Sequence, residues 1–151
     1  MTDISEYLPH QPPMRMVERI ISDSPEQTVT EAHVAEDHVF FDPALGGVPS
    51  WAGLEYLAQT AAVWLGADCR RHNRPVEPAF LVSSRHYSAE TPVFGLAETL
   101  RTAVRPDLID GPLVAFSGTI HNGRGDLLVE ATFAAFQPED PVAYLQASEP
   151  N

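Results

Sequence analysis

A single carboxylate, Glu55, stands in a stretch whose other residues favour burial. The segment from Phe40 to Gln59 reads FFDPALGGVPSWAGLEYLAQ, in which a Gly-Gly-x-Pro turn leads into an apolar helix. Gln59 follows Glu55 by one helical turn, so both side chains are expected on the same side of that helix. A carboxylate at the margin of buried surface is suited to giving a proton to, or taking one from, a bound substrate. Glu55 is therefore the first candidate for a catalytic residue.

Histidines are the other candidates for acid–base chemistry, and His38 is the imidazole nearest to this segment. The pair Asp37-His38 is equally typical of a strand end or a turn. His10 and His33 favour structural roles, and the spacing of the remaining histidines relative to carboxylates indicates no metal site. For Glu55 itself, the alternative is an acid at the helix edge that pairs with an arginine or a backbone amide.

The helix that carries Glu55 is predicted over about Ser50 to His72. Ser50 is a suitable N-cap, and Pro49 before it marks the point where the chain enters the helix. Apolar residues recur at spacings of three and four, which is the signature of one buried face. This stripe comprises Trp51, Leu54, Ala58, Ala61, Ala62, Leu65 and Cys69.

Six segments have the alternation typical of β-strands, two before the helix and four after it. They span residues 14–23, 26–36, 79–90, 96–105, 112–121 and 126–137. A helix this apolar must be covered, so the order of elements predicts an α+β domain in which a curved antiparallel sheet of five or six strands wraps a long central helix. This is the hot-dog architecture. We expect one domain over residues 1–151, with flexible ends at 1–7 and 138–151.

The bulk composition restricts the classes of partner. The net charge is -12, and all nine basic residues are arginines, so nucleic acid is an improbable partner. The lone Cys69 excludes an internal disulfide and favours a reducing compartment. Because the sequence shows neither a signal peptide nor an apolar run of membrane-spanning length, we expect a cytoplasmic protein.

Several arginines in the middle of the chain could form a local patch that binds an acidic partner, although solvated surface arginines are the alternative. The candidates for this patch are Arg70, Arg71, Arg74, Arg101 and Arg105.

Two motifs resemble a known enzyme family. The run LPHQPPMRMVERI, residues 8–20, resembles the opening LPHRxPxLxVDRV of FabZ-type 3-hydroxyacyl-acyl-carrier-protein dehydratases, relatives of the FabA type. The run VPSWAGLEYLAQ, residues 48–59, resembles their helix start xPGxLxxEAMAQ, with the same spacing from proline to glutamate, Pro49 to Glu55. The ApeP-like branch associated with aryl-polyene synthesis is more similar still, with the pattern GGVPxWxGxEYMAQ. The likeness extends from Leu8 to about Gln137.

The resemblance implies a dimer of hot-dog subunits with active sites between the protomers. In this family a histidine of one chain and an acid on the partner's helix remove water from a 3-hydroxyacyl thioester. The substrate is carried on the phosphopantetheine of an acyl carrier protein, and no other cofactor and no metal is implied. Glu55 matches the acid, and the backbone N–H of Ser50 would point at the thioester carbonyl. The residues expected to bind substrate are Phe41, Gly47, Ser50, Trp51 and Gln59.

The sequence departs from this family at the histidine. The family's histidine lies eight residues before the proline, where this chain has Phe41, or Ala44 if a deletion is allowed. Three hypotheses follow. The chain is a dehydratase subunit whose histidine comes from a FabZ-like partner chain, an acyl thioesterase in which Glu55 acts and Gln59 holds water, or an inactive subunit that only dimerises or binds carrier protein. We favour the first, in which the chain serves as part of a lyase.

Overall fold

A six-stranded antiparallel sheet wraps around one long helix, α1, in a computed structural model that describes residues 4, 14–77 and 79–138. The ends predicted to be flexible lie outside the described residues, apart from Ile4 and Pro138. The sheet order is β1-β2-β6-β7-β8-β4, and β3 pairs with β5 in a separate small sheet. The elements are β1 (Arg19–Ser24), β2 (Gln27–His33), β3 (Gly47–Pro49), α1 (Gly53–Arg71), β4 (Phe80–Ala89), β5 (Val93–Gly95), β6 (Thr99–Asp110), β7 (Leu113–Asn122) and β8 (Leu127–Phe136).

The core lies between α1 and the inner face of the sheet. Alternate residues of the central strands β6, β7 and β8 point inward and are buried, while their neighbours face outward. Each large apolar side chain buried there stabilises the fold by about 1.5–3 kcal/mol relative to its exposed state. The largest fully buried apolar side chains are Tyr56, Leu57, Phe94, Leu100, Phe116 and Ile120. The predicted α+β layering is therefore confirmed, and within the described residues no helix is long and apolar enough to cross a membrane.

The first strand and the small sheet differ from the prediction. β1 begins at Arg19 and not at Met14, because the backbone of Met14 and Met16 bonds instead to the side chain of Gln59. The two strands of the small sheet have three residues each, which is too short for a period-two pattern to be recognised.

The start of the helix also differs. Ser50 is not an N-cap: residues 50–52 form a 3-10 turn without any side-chain capping bond, and α1 begins at Gly53. The Tyr87 hydroxyl donates a hydrogen bond to the Ser50 carbonyl, and burial raises the pKa of Tyr87 to about 12. A Cβ at Gly53 would overlap that hydroxyl, so only glycine allows this contact. Because a 3-10 turn has fewer residues per turn, Trp51 falls off the apolar stripe and is 62% exposed.

Candidate active site

Glu55 lies in the first turn of α1, half-buried, at a small cleft between the helix and strands β4 and β8. The cleft has a volume of about 150 Å³, and its walls are mostly small apolar side chains. They belong to Ala58, Ala62, Ala79, Phe80, Leu81 and Ala135. A carboxyl group at the margin of buried surface was predicted from the sequence, and the structure adds the apolar cleft beside it.

β4, beside this cleft, is an edge strand of the sheet. It pairs with β8 on one side, and no described strand pairs with it on the other. Leu81 and Val82 on this edge are 40% and 45% exposed. An unpaired strand edge that carries exposed apolar side chains is suited to pairing with a strand of another chain.

Gln59 fixes the position of Glu55. Its Oε1 accepts hydrogen bonds from the N–H groups of Met16 at 2.7 Å and Val17 at 3.4 Å. Its Nε2 donates to the carbonyl of Met14 at 2.8 Å and to Oε1 of Glu55 at 3.0 Å. The side chain is completely buried, and its amide has no donor left to offer. Within this chain the Gln59 amide thus joins Glu55 to the segment that leads into β1.

His38 has both ring nitrogens engaged within the chain. Nδ1 accepts a hydrogen bond from the N–H of Phe40 at 3.0 Å, so the neutral ring carries its proton on Nε2. Nε2 then donates to the Tyr56 hydroxyl at 2.9 Å. Burial lowers the pKa of His38 and outweighs the opposing effect of Asp37, which favours an uncharged ring at neutral pH.

The structure does not bring His38 to Glu55. His38 lines a separate cleft of about 470 Å³ with Arg15, Glu18 and His33. A general base needs a free lone pair that faces the substrate, and both nitrogens of this imidazole are already used. In this arrangement of the chain His38 and Glu55 therefore lie at different clefts.

Tyr56 was missed in the sequence, although it follows Glu55 directly. It is wholly buried and stacks edge-on against Phe94, with ring centroids 6.3 Å apart. Burial, and secondly the charge of Glu18, raise the pKa of Tyr56, so the phenol stays protonated at neutral pH. Tyr56 could have been recognised in the sequence as a hydroxyl group in an apolar helical stretch, because a buried hydroxyl needs a hydrogen-bond partner. In the structure that partner is His38.

The remaining predicted substrate contacts divide into buried and exposed groups. The N–H of Ser50 donates to the Pro92 carbonyl at 2.9 Å, so it is not available to a thioester carbonyl as predicted. Gly47 is buried in β3, where a Cβ would overlap the Phe94 carbonyl, so its role is in packing.

The two aromatic residues predicted to contact substrate differ in exposure. Phe41 is partly buried against the core, and its N–H donates to the carbonyl of His38 at 2.9 Å. Trp51 is exposed and packs edge-on against Phe40, with ring centroids 5.2 Å apart. Trp51 is therefore the most exposed of the predicted contacts.

The arginines of the predicted patch are largely engaged in ion pairs within the chain. Such pairs reduce the positive charge available to an acidic partner, although exposed pairs of this kind are weak. The pairs are Arg71 with Asp23 at 3.2 Å, Arg74 with Asp68 at 3.3 Å, Arg101 with Glu31 at 3.0 Å and Arg105 with Asp107 at 3.4 Å.

The buried state of His38 predicts a pH dependence of stability. Its folded pKa lies below the ordinary value of 6.5, so below that pH the unfolded chain binds a proton before the folded chain does. The contribution of His38 to stability is complete above pH 6.5 and is lost as the pH falls from there toward the folded pKa. We expect His38→Gln to flatten the pH dependence of the free energy of unfolding, measured by urea titration between about pH 7.5 and 5.5. Equal slopes for the two proteins would contradict this assignment.

Solved structures similar to this one show what the fold is. The dehydratase heterocomplex ApeI:P from Xenorhabdus doucetiae has a chain with a TM-score of 0.90 and 24% identity, and 99% of each chain is covered. A hypothetical thioesterase with coenzyme A from Streptococcus pneumoniae TIGR4 has a TM-score of 0.61 at 12% identity, covering 80% of this chain and 84% of that one. Thioesterase superfamily member 2 from Mus musculus has a TM-score of 0.60 at 17% identity, covering 78% and 80%. The predicted hot-dog fold is confirmed.

Sequence comparison identifies the family. None of the curated protein sequences is significantly similar to the chain. The family model described as ApeP-like, ApeP dehydratase, matches residues 2–146, which is almost the whole chain. The match includes the Gly-Gly-x-Pro turn, the helix start and Glu55. The chain therefore belongs to the ApeP-like dehydratase family.

Proposed function

We propose that this chain is a subunit of a 3-hydroxyacyl-thioester dehydratase, in which Glu55 completes an active site shared with a histidine-bearing, FabZ-like partner chain. The proposal rests on the different surroundings of the Glu55 carboxyl group and the His38 imidazole. Gln59 holds Glu55 at an apolar cleft beside the edge of β4 that no described strand pairs with, whereas His38 is bonded at both nitrogens on another side of the helix. These contacts support a site to which this chain supplies the acid and another chain supplies the base.

The proposed chemistry needs one acid and one base. The partner's imidazole takes the proton from C2 of the acyl chain, and the Glu55 carboxyl group gives a proton to the hydroxyl at C3. The C3–O bond breaks, water leaves, and the electron pair of the C2–H bond forms the C2–C3 double bond. One proton is taken and one is given, so the reaction is balanced without a metal or a redox cofactor.

The edge of β4 is the proposed contact with the partner. It lies beside Glu55, and its exposed Leu81 and Val82 would be buried when a strand of the partner pairs with it. Support for a heteromeric assembly comes from the similarity to a chain of the ApeI:P dehydratase heterocomplex, at a TM-score of 0.90.

The substrate is proposed to arrive on the phosphopantetheine of an acyl carrier protein. The alanine-lined cleft of about 150 Å³ beside Glu55 then holds the part of the acyl chain next to the reacting carbons. Its apolar walls exclude water from the proton transfer, which strengthens the interaction of Glu55 with the departing hydroxyl. Of the five predicted docking residues, Arg70 and Arg71 lie in the last turn of α1, about 22 Å or more from Glu55 along the helix axis, and Arg74 follows the end of the helix.

Complementation tests this proposal directly. A FabZ-like partner whose own active-site glutamate has been replaced by glutamine retains its histidine but loses its acid. We expect dehydration of a 3-hydroxyacyl-carrier-protein by the mixture of this partner and the present chain, and by neither protein alone. The readout is the enoyl thioester, measured by mass spectrometry. A mixture no more active than the disabled partner would contradict the proposal.

The same assay separates the two other functions considered. Release of free thiol by the present chain alone, across several acyl lengths, would identify a thioesterase, which the similarity to thioesterase structures makes a specific competitor. Formation of the complex and binding of carrier protein, with no turnover in the mixture, would identify an inactive subunit. Thioesterase activity would be seen without a partner, and an inactive subunit would bind without any turnover. Both results therefore differ from complementation, in which turnover appears only in the mixture.

A further inference from the structure

One carboxylate on the outer face of the sheet, the face turned away from α1, is buried by arginines. Thr30 of β2 bonds to Thr60 of α1, so the next residue, Glu31, points to the opposite face. It is nevertheless only 5% exposed. Its Oε1 accepts hydrogen bonds from Nε and Nη2 of Arg19, at 3.0 and 2.7 Å, and its Oε2 accepts one from Nε of Arg101 at 3.0 Å. Two guanidinium groups and one carboxylate leave a net positive charge in this cluster.

Strand pairing places this cluster beside a histidine. Glu31 on β2 is directly opposite Arg101 on β6, and Arg101 is directly opposite His121 on β7. The three side chains therefore form one row across the outer face. They line a cleft of about 440 Å³, whose other walls include His33, Thr99 and the turn between β7 and β8. The cleft thus has basic side chains along one wall.

Several hydrogen-bond donors in this cleft have no partner among the described residues. Arg101 uses only Nε for Glu31, so the donors of its two terminal amino groups are left over. The His121 ring and the Thr99 hydroxyl also lack a hydrogen bond to any described residue. Glu31, the acid in the wall, is already occupied by its bonds to the two arginines. The cleft therefore offers donors, and the charge of its acid is neutralised.

The other charged groups around the cleft are paired within the chain. Arg124 and Asp126, in the turn between β7 and β8, lie 3.5 Å apart. Glu18 bonds to His33 at 3.0 Å and lines the separate cleft that contains His38. The positive charge shared by the two arginines and Glu31 is therefore the one that a ligand in this cleft meets, and it favours an anion.

We propose that this cleft binds a phosphate group through Arg101, His121 and Thr99. Glu31 is a positioning residue, because its bond to Nε fixes the plane in which Arg101 presents its terminal amino groups. Two amino groups in one plane match two oxygens of a phosphate. The imidazole and the hydroxyl lie at different points of the wall, so a tetrahedral anion can accept from all three side chains. A planar carboxylate is satisfied by the guanidinium alone.

This site is independent of the proposed function. The Glu55 cleft lies between α1 and strands β4 and β8, and it shares no residue with the cleft on the outer face. Its volume of about 440 Å³ exceeds what one phosphate needs, so the ligand is either free phosphate or the phosphate of an organic ester.

Titration of the full chain with inorganic phosphate tests the site. NMR follows the backbone amide shifts at constant pH and ionic strength, with chloride exchanged for phosphate. We expect saturable shifts at Thr99, Arg101 and His121, with a dissociation constant on the order of 1 mM. Arg101→Gln should weaken binding about tenfold, because it removes the charge and the paired donors.

Two further variants make this result specific. Arg105→Gln is the matched control, since Arg105 lies on the same strand and face, pairs with Asp107 at 3.4 Å and does not line the cleft. It should bind phosphate like the wild type. Arg101→Gln also removes a partner of the buried Glu31, so Thr99→Val provides a variant that leaves the ion pairs intact. Loss of its hydroxyl should weaken binding by about threefold to tenfold.

A comparison of anions identifies the ligand. Binding of adenosine 5′-monophosphate more tightly than inorganic phosphate would support an organic phosphate, and equal binding would support free phosphate. Acetate that binds as well as phosphate would contradict the assignment of the site to a tetrahedral anion. Amide shifts that stay linear in phosphate concentration, or Arg101→Gln and Thr99→Val variants that bind like Arg105→Gln, would overturn the inference.

Discussion

Replacement of Glu55 by glutamine is expected to lower the dehydration rate of the reconstituted complex by about 10²- to 10⁴-fold, the usual contribution of a positioned general acid. Glutamine has the shape of glutamate, and its side-chain oxygen can still accept the hydrogen bond from Gln59 that now joins Nε2 to Glu55 at 3.0 Å. The variant therefore keeps the geometry of the site and loses only the proton. The loss should fall on kcat, with KM close to its wild-type value.

Two control measurements accompany this prediction. The melting temperature of Glu55→Gln should match that of the wild type, because Glu55 is only half-buried and its bond to Gln59 survives. Glu55→Asp, which keeps the acid on a shorter stem, should give an intermediate rate. Undiminished dehydration by Glu55→Gln in the complementation assay would show that another group supplies the proton, and the proposed role of Glu55 would be wrong.

Replacement of Gln59 by methionine is expected to destabilise the fold by about 3–5 kcal/mol, because the N–H groups of the buried Met16 and Val17 lose their acceptor. Methionine has a similar length and volume, so it leaves no large cavity. It removes the hydrogen bonds that Gln59 makes to the N–H of Met16, the carbonyl of Met14 and one oxygen of Glu55. Unsatisfied groups of this kind cost about 1–3 kcal/mol each. Denaturant unfolding measures the change.

Thr60→Val is the matched control for Gln59→Met, because Thr60 is the adjacent buried polar residue on α1. Its hydroxyl bonds to Thr30 at 2.8 Å and to the carbonyl of Tyr56, which already accepts a helical bond. We expect a loss of about 1 kcal/mol for this variant. If Gln59→Met costs no more than Thr60→Val, the amide of Gln59 does not hold the lead-in to β1 as the structure indicates.

Glu55→Gln and Gln59→Met also distinguish a loss of catalytic activity from a loss of stability. Glu55→Gln should remove activity from a stable subunit, whereas Gln59→Met should loosen both the fold and the position of Glu55. In the complementation assay Gln59→Met is expected to lower activity less than Glu55→Gln at a temperature where the variant remains folded. The reverse order would make Gln59 the more direct participant.

The helix and the longer strands were predicted from the periodic spacing of apolar residues. The helix was predicted over about Ser50 to His72 and α1 spans Gly53–Arg71, since one buried face repeats over five turns of chain. The four strands after it were predicted within a few residues of their observed bounds, apart from the longer β6. The three-residue strands β3 and β5 were not predicted. They are too short to show alternation of apolar and polar residues, and the sequence does not show that Gly47 pairs with Gly95.

Residue type and spacing made Glu55 a candidate, and the resemblance to the dehydratase motif, with the same spacing from Pro49 to Glu55, favoured a catalytic role over an ordinary acid at the helix edge. The state of the groups around it depended on contacts between distant segments. Gln59 bonds to Met16, 43 positions away, and the Ser50 N–H is taken by Pro92 across the small sheet. His38 bonds to the phenol of Tyr56, which lies 18 positions further along the chain. A hydrogen bond depends on which donor and acceptor meet in space, and a linear pattern records which groups exist but not which of them are already occupied.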